Sequence, residues 1–293
     1  MVDLDTLSAL DALQWLRTGE DVAQRFPFSA ASVSRYSKQC LDLYGLEMER
    51  VAGEWTLRGD TSLLMLQRQG HQQARWLGRR PLRLEATYWS GPLLCTPTPK
   101  PWLLGLSNIV GVPRNLQLLR ERVVDGWLGA LPDVPAADDP DLVAIPLSTM
   151  PVHFVAAPEH PLVRSSQITV ADLAHYPTLA LPENAYPIVE RELKALGLWS
   201  DPVRMKRYRR DVWEGKTEAE LTIGYGTVLS HEVSGGQLRF LPLQLPFVSG
   251  EVLVVRREFV DQPALKALVN HLLTRLDEWA GKYPEIELVA QSS

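Results

Sequence analysis

The stretch TGEDVAQRFPFSAASVSRYSKQCLDLYG, residues 18–45, reads as two short helices joined by a tight turn. Asp21 to Arg25 predicts a helix that buries Val22, Ala23 and Phe26. Pro27 interrupts it, because proline has no amide proton for the ladder. Ser29 is placed to cap a further helix, Ala30 to about Tyr44, by accepting from the free amides of its first turn. Gly45 suits the exit, where the chain turns left-handed. Two short helices joined this way, the second with a polar and basic face, fit the major groove of DNA. That face offers Ser32, Ser34, Arg35, Tyr36 and Lys38. Arg35 and Lys38 stand three apart and share one side, within reach of a phosphate or a guanine edge. Any three-helix fragment with a polar outer face gives the same pattern, so both readings stand at this point.

Upstream, Leu7, Leu10, Leu13 and Leu16 form an apolar stripe at helical spacing. Downstream, Val51 to Arg58 predicts a hairpin turning at Gly53, with Arg50 and Arg58 as phosphate contacts. Thr61 to Arg79 then reads as one longer helix. Its Leu63, Leu66, Gly70, Gln73 and Leu77 alternate three and four apart, which suits either a dimer seam or packing against the same chain. Gly78 to Pro81 resembles a linker. From Arg25 to Arg80 there are nine basic and five acidic residues, although the whole chain carries a net charge of -5. A basic segment on an acidic body fits nucleic-acid contact by one part only.

With 293 residues, 45% of them hydrophobic, the chain has length for two or three domains with their own cores. Its two cysteines, Cys40 and Cys95, cannot form a disulfide framework. No apolar run reaches ~18 residues, and Met1 to Asp5 lack a basic, apolar leader, so a cytoplasmic location is expected. Beyond Pro81 strands alternate with helices, which predicts an α/β architecture with parallel sheet. The strands expected are 82–87, 106–112, 142–145, 152–157, 178–181, a short one near 203–208, 228–229 and 252–255. The helices expected are 115–128, 170–174, 188–196 and 263–280.

In this order the residues resemble the LysR-type transcriptional regulators. Thr18, Val22-Ala23, Phe26, Ser29 and Ser34-Arg35 fall at that family's helix-turn-helix spacing, and Thr56-Leu57-Arg58-Gly59 matches the close of its wing. The family's later elements are similar to Glu159-His160-Pro161-Leu162, to Asp172-Leu173 with Tyr176-Pro177, and to Gly224-Tyr225-Gly226-Thr227-Val228-Leu229. Gly236-Gln237-Leu238 with Leu241-Pro242 follows. Departures are equally specific. Ala30-Ala31 stand where glutamine and proline are common, which removes one amide from base contact. Ser37 and Cys40 occupy apolar positions, and Glu47 and Glu49 near the wing would repel phosphate.

The resemblance implies a winged helix-turn-helix over residues 1–60, a linker and dimerisation helix over 61–80, and an α/β effector domain over 81–293. That domain would comprise two Rossmann-like subdomains like those of periplasmic binding proteins, one from 81–151 and 250–293 and the other from 152–249. The implied partners are a pseudo-palindromic double-stranded DNA operator, further copies of the chain in a homodimer or homotetramer, and a small effector. DNA contacts would come from Ser29, Ser32, Ser34, Arg35, Lys38, Arg50 and Arg58. The effector would lie in the inter-subdomain cleft against Thr87, Tyr88, Trp89 and Ser90 on one side and Leu181, Thr217, Thr222 and Tyr225 on the other. Tyr88 and Trp89 either stack on a planar effector or fill the cleft. The basic run Arg204 to Arg210 either draws an anionic ligand or, the first reading, forms an exposed strand edge that resists pairing.

No nucleophile elbow, P-loop, His-Glu-x-x-His or CxxC occurs, and the six histidines lack zinc-ligand spacing. Hence no enzymatic activity, catalytic residue, cofactor or metal is expected. A rival reading is a solute-binding or sensor protein whose N-terminal domain contacts protein rather than DNA; Ala30-Ala31, Glu47 and Glu49 keep it open.

Overall fold

The computed structural model describes residues 3–290. Three helices open it: α1 (Leu4–Leu16), α2 (Gly19–Arg25) and α3 (Ala30–Tyr44). Each is capped by the residue its chemistry selects. Asp3 accepts from the Thr6 amide and Thr18 from the Asp21 amide. Ser29 accepts from the Ser32 amide at 3.1 Å, and Gly45 ends α3 at φ 63°. An antiparallel hairpin follows, β1 (Glu47–Val51) and β2 (Glu54–Arg58). Ala52 and Gly53 both take positive φ, the two-residue turn whose twist matches the strands. The paired hairpin therefore starts at Glu47, four residues before the expected start. α4 (Ser62–Trp76) is shorter than the 61–79 helix expected.

The remainder alternates β3 (Leu82–Ala86), α5 (Ser90–Leu94), β4 (Trp102–Leu104), α6 (Val112–Arg120), β5 (Gly126–Ala130), β6 (Leu142–Pro146) and β7 (Ser148–Ala156). It continues through α7 (Val170–Leu173), β8 (Leu179–Ala180), α8 (Pro187–Ala195), β9 (Asp201–Pro202), α9 (Glu214–Ala219) and β10 (Gly224–Gly226). α10 (Val228–Ser234), β11 (Arg239–Ser249), β12 (Glu251–Arg256), α11 (Pro263–Lys282) and β13 (Glu287–Leu288) complete it. One lobe holds a five-stranded sheet in the order β4-β3-β5-β12-β6; the other holds β10-β7-β11, with β13 also on β7.

Several expectations are corrected. Neither main sheet is parallel throughout: in the five-stranded one β3 runs parallel to β4 and β5 but β12 returns antiparallel between β5 and β6, and in the other β7 pairs antiparallel with β10, β11 and β13. The helix expected over 115–128 ends at Arg120, and β5 follows. Leu118, Leu119, Val123, Val124, Trp127 and Leu128 are all buried, so the apolar run spans a helix and a strand with no break in hydrophobicity. Residues 106–112 form no strand, and Val228 and Leu229 begin α10 behind the Thr227 cap.

The N-terminal helices do not stand apart. Ala12, Trp15, Leu16, Val22 and Val33 share one core with Ile109, Val112, Leu118, Trp127 and Val254 of the five-stranded lobe. α1 is buried on nearly every side, as a helix enclosed by neighbours must be. Its polar residues are matched: Asp11 accepts from Arg68 Nε at 2.8 Å and Arg83 Nη1 at 3.2 Å. Beside it, Asp125 accepts from Arg75, Gln72 and the Arg83 amide. Charges this deep persist only when fully paired. No helix among the described residues is long and apolar enough to cross a membrane.

Candidate ligand cleft and nucleic-acid interface

Between the lobes lies a cavity of about 110 Å³. Thr87, Tyr88 and Trp89 reach it from the loop after β3, joined by Ile109, Val110 and the end of β5. Leu181, Tyr186, Val189, Met205, Tyr208, Trp213, Tyr225 and Phe247 close it from the other lobe. This is the position beyond the carboxyl ends of strands where α/β sheets collect ligands.

An aromatic latch spans the cleft. The Tyr88 and Tyr208 rings stack with centroids 3.5 Å apart and planes 3° from parallel. Both phenols donate to Glu214, Tyr88 at 3.1 Å and Tyr208 at 2.6 Å. Burial raises the Glu214 carboxyl above its ordinary range, although these two donors pull it back. Trp89 stands edge-on to Tyr88, and its indole N–H donates to Glu251 at 2.9 Å. Tyr88 therefore stacks within the protein itself.

Of the expected effector residues, Thr87, Tyr88, Trp89, Leu181 and Tyr225 line this cavity. Ser90 is fully buried behind it, its hydroxyl donating to Glu251 at 2.5 Å. Thr217 lines a smaller neighbouring pocket with Tyr88 and Glu214, and buried Thr222 donates to Glu220. Met205 and Tyr208 come from the basic run, whereas Asp133, Tyr186 and Trp213 come from loops and irregular segments that no period marks. The basic run is not an exposed edge throughout. Val203, Met205 and Arg207 turn inward while Arg204 and Lys206 face out. Arg207 donates through Nε and Nη2 to both oxygens of Glu54 at 2.8 Å, and through Nη2 to the Trp15 carbonyl.

On α3, Ser34, Arg35 and Lys38 are exposed, and neither cation enters an ion pair among the described residues. Ser29 and Ser32 spend their hydroxyls on each other at 2.9 Å. Arg50 stacks its guanidinium on Trp55 and donates to the Arg17 carbonyl. Arg58 pairs with Glu49 at 2.6 Å in solvent, a contact worth at most about 1 kcal/mol and so readily exchanged for a phosphate. Burial pushes the Cys40 thiol up to about 12 and the Cys95 thiol higher still, which holds both protonated. Among the described residues no cluster of His, Cys, Asp or Glu could hold a metal ion.

Residues 109–277, more than half of the chain, match the LysR substrate binding domain. The chain belongs to the LysR-type family of transcriptional regulators. Its fold is shared with full-length LysR-type structures. A full-length OxyR variant from Pseudomonas aeruginosa aligns with a TM-score of 0.58 at 17% identity, covering 93% of this chain and 95% of that one. Full-length BenM gives 0.51 at 15%, covering 96% and 98%. A hydrogen peroxide-bound OxyR mutant from Corynebacterium glutamicum gives 0.52 at 14%, covering 95% and 94%. Among curated proteins no sequence matches significantly. At these identities the LysR-type structures establish the fold alone.

Proposed function

We propose that the chain is a DNA-binding transcriptional regulator whose grip on its operator is set by a small molecule in the inter-lobe cleft. The observation that carries this reading is the placement of Arg207. Its neighbours Met205 and Tyr208 wall the cavity, while its guanidinium holds Glu54 in the hairpin that follows α3. Movement of the 205–208 segment against a ligand is therefore felt directly by the hairpin. α3 supplies the groove-reading face through Ser34, Arg35 and Lys38, and the hairpin supplies Arg50 and Arg58 for the backbone. Glu47 and Glu49 beside them weaken that contribution.

One α3 helix reads few bases, so two copies are required for a specific site. α4 offers the seam. Its inner face binds the N-terminal helices and the five-stranded lobe, whereas Leu63, Leu66 and Leu77 are 65%, 67% and 75% exposed, with open space above Gly70. Three outward leucines along one helix suit a second copy of the same face.

Retention of duplex DNA on the full chain, measured across a salt series, tests the reading. Binding should fall linearly in log–log form, and Arg35→Ala should weaken it and reduce the slope by ~1. Absent or salt-independent retention would return the protein to the sensor reading, in which the N-terminal region contacts protein.

A further inference from the structure

The cleft's chemistry is set by what fills its polar positions. Among the described residues no Lys, Arg or His lines the cavity. The N-terminus of α8 opens onto it, and free amides at a helix N-terminus are a natural seat for an anion. Here they are already taken. Asp133, from the loop after β5, accepts from the Ile188 amide at 2.7 Å and the Val189 amide at 3.1 Å, and is itself 4% exposed. The protein thus provides its own carboxylate where an acidic ligand would find donors.

The remaining polar groups are also engaged. Tyr88 and Tyr208 donate to Glu214, Ser249 donates to the Leu131 carbonyl, and Thr227 with Ser230 closes the cap of α10. Two hydroxyls on the far wall differ. Tyr186 accepts from the Gly111 amide, and neither it nor Tyr225 donates its proton to any described residue.

Resting on the reading of this cleft as the effector site, we infer that its ligand is a flat, uncharged molecule bearing a hydrogen-bond acceptor, of the class of aromatic ketones and esters, and that carboxylates are excluded. Aromatic walls from Trp89, Tyr186 and Trp213 receive the ring, and Tyr225, whose buried hydroxyl has no partner among the described residues, donates to the acceptor. A carboxylate would lose its water, meet no cation and face Asp133 at the one helix terminus that could have held it.

Acetophenone and benzoate make the matched probes, since they share a ring and nearly a size and differ in charge. Calorimetric titration of the full chain at pH 7.5 should give acetophenone at least about a tenfold advantage, the scale expected for burying an uncompensated charge. Tyr225→Phe should weaken acetophenone several-fold while leaving benzoate unchanged. Asp133→Ala, which releases both α8 amides, should narrow the gap by strengthening benzoate. Asp133→Asn, which keeps the volume and one acceptor, should narrow it less and serves if the alanine variant does not fold. Benzoate binding as tightly as acetophenone to the unaltered chain overturns the inference, as does acetophenone failing to bind at millimolar concentration. Either result is separable from failure of the regulator reading, which shows in DNA retention without any probe.

Discussion

Glu251 is 1% exposed on β12 and receives the Ser90 hydroxyl and the Trp89 indole. Burial outweighs both donors and pushes its carboxyl up to about 7 from an ordinary 4.5. A folded-state value above the unfolded one means that the stabilisation is complete below pH 4.5 and is lost as pH rises to about 7. Replacing the group by a neutral amide removes that loss. Subtracting the unfolding free energy of the unaltered chain from that of Glu251→Gln should give a difference that climbs by about 3 kcal/mol between pH 4.5 and 7 and is flat outside that window. A difference flat throughout would mean that Glu251 ionises as an exposed glutamate does. Single residues were legible in sequence where their chemistry is local. Ser29 and Gly45 cap α3 as their types dictate. Glu251 and Asp133 gave no such signal, because each acquires its role only from groups more than fifty positions away.

Among the elements, α4 shows how far periodicity reaches. Its outward Leu63, Leu66 and Leu77 were visible as a seven-residue alternation. The inward Arg68, His71, Gln72 and Arg75 carry no apolar signal, yet they belong to the buried face. Their partners Asp11 and Asp125 lie on other elements, so only folding could show that this polar side is interior. As the seam is unpaired within the chain, Leu66→Glu should shift the assembly toward single chains by light scattering. It should leave the thermal midpoint of the chain within a few degrees, since exposed positions contribute little. An unchanged mass would place the contact elsewhere. β5 and β11 lack a strand signature in the sequence for different reasons. β5 is buried along its length and merges with α6, while β11 carries prolines and register shifts that break the two-residue alternation.

At the scale of the whole molecule, the N-terminal helices and the five-stranded lobe form one core, stitched by buried ion pairs. The second lobe joins through Arg207, Glu54 and Arg114. Removing one member of such a set leaves an uncompensated charge. Arg207→Ala should therefore lower unfolding free energy by about 3 kcal/mol in urea titration. It should also leave DNA retention unresponsive to whatever ligand alters it in the unaltered chain. Retention that still responds fully would mean the signal reaches α3 by another route.

The sequence by itself determined the local pieces: the caps and turn around α3, the hairpin at Gly53, the outward leucines of α4, and the order of short motifs that marks the LysR-type family. These depend on residues within a few positions of one another, where backbone stereochemistry and side-chain reach decide the outcome. Tertiary structure alone decided the mixed strand directions, the burial of α1 between lobe and hairpin, and the cleft closed by Tyr88, Tyr208 and Glu214. It also placed an internal carboxylate at α8. Each of these arises from pairing groups far apart along the chain, and residue type sets no such distance.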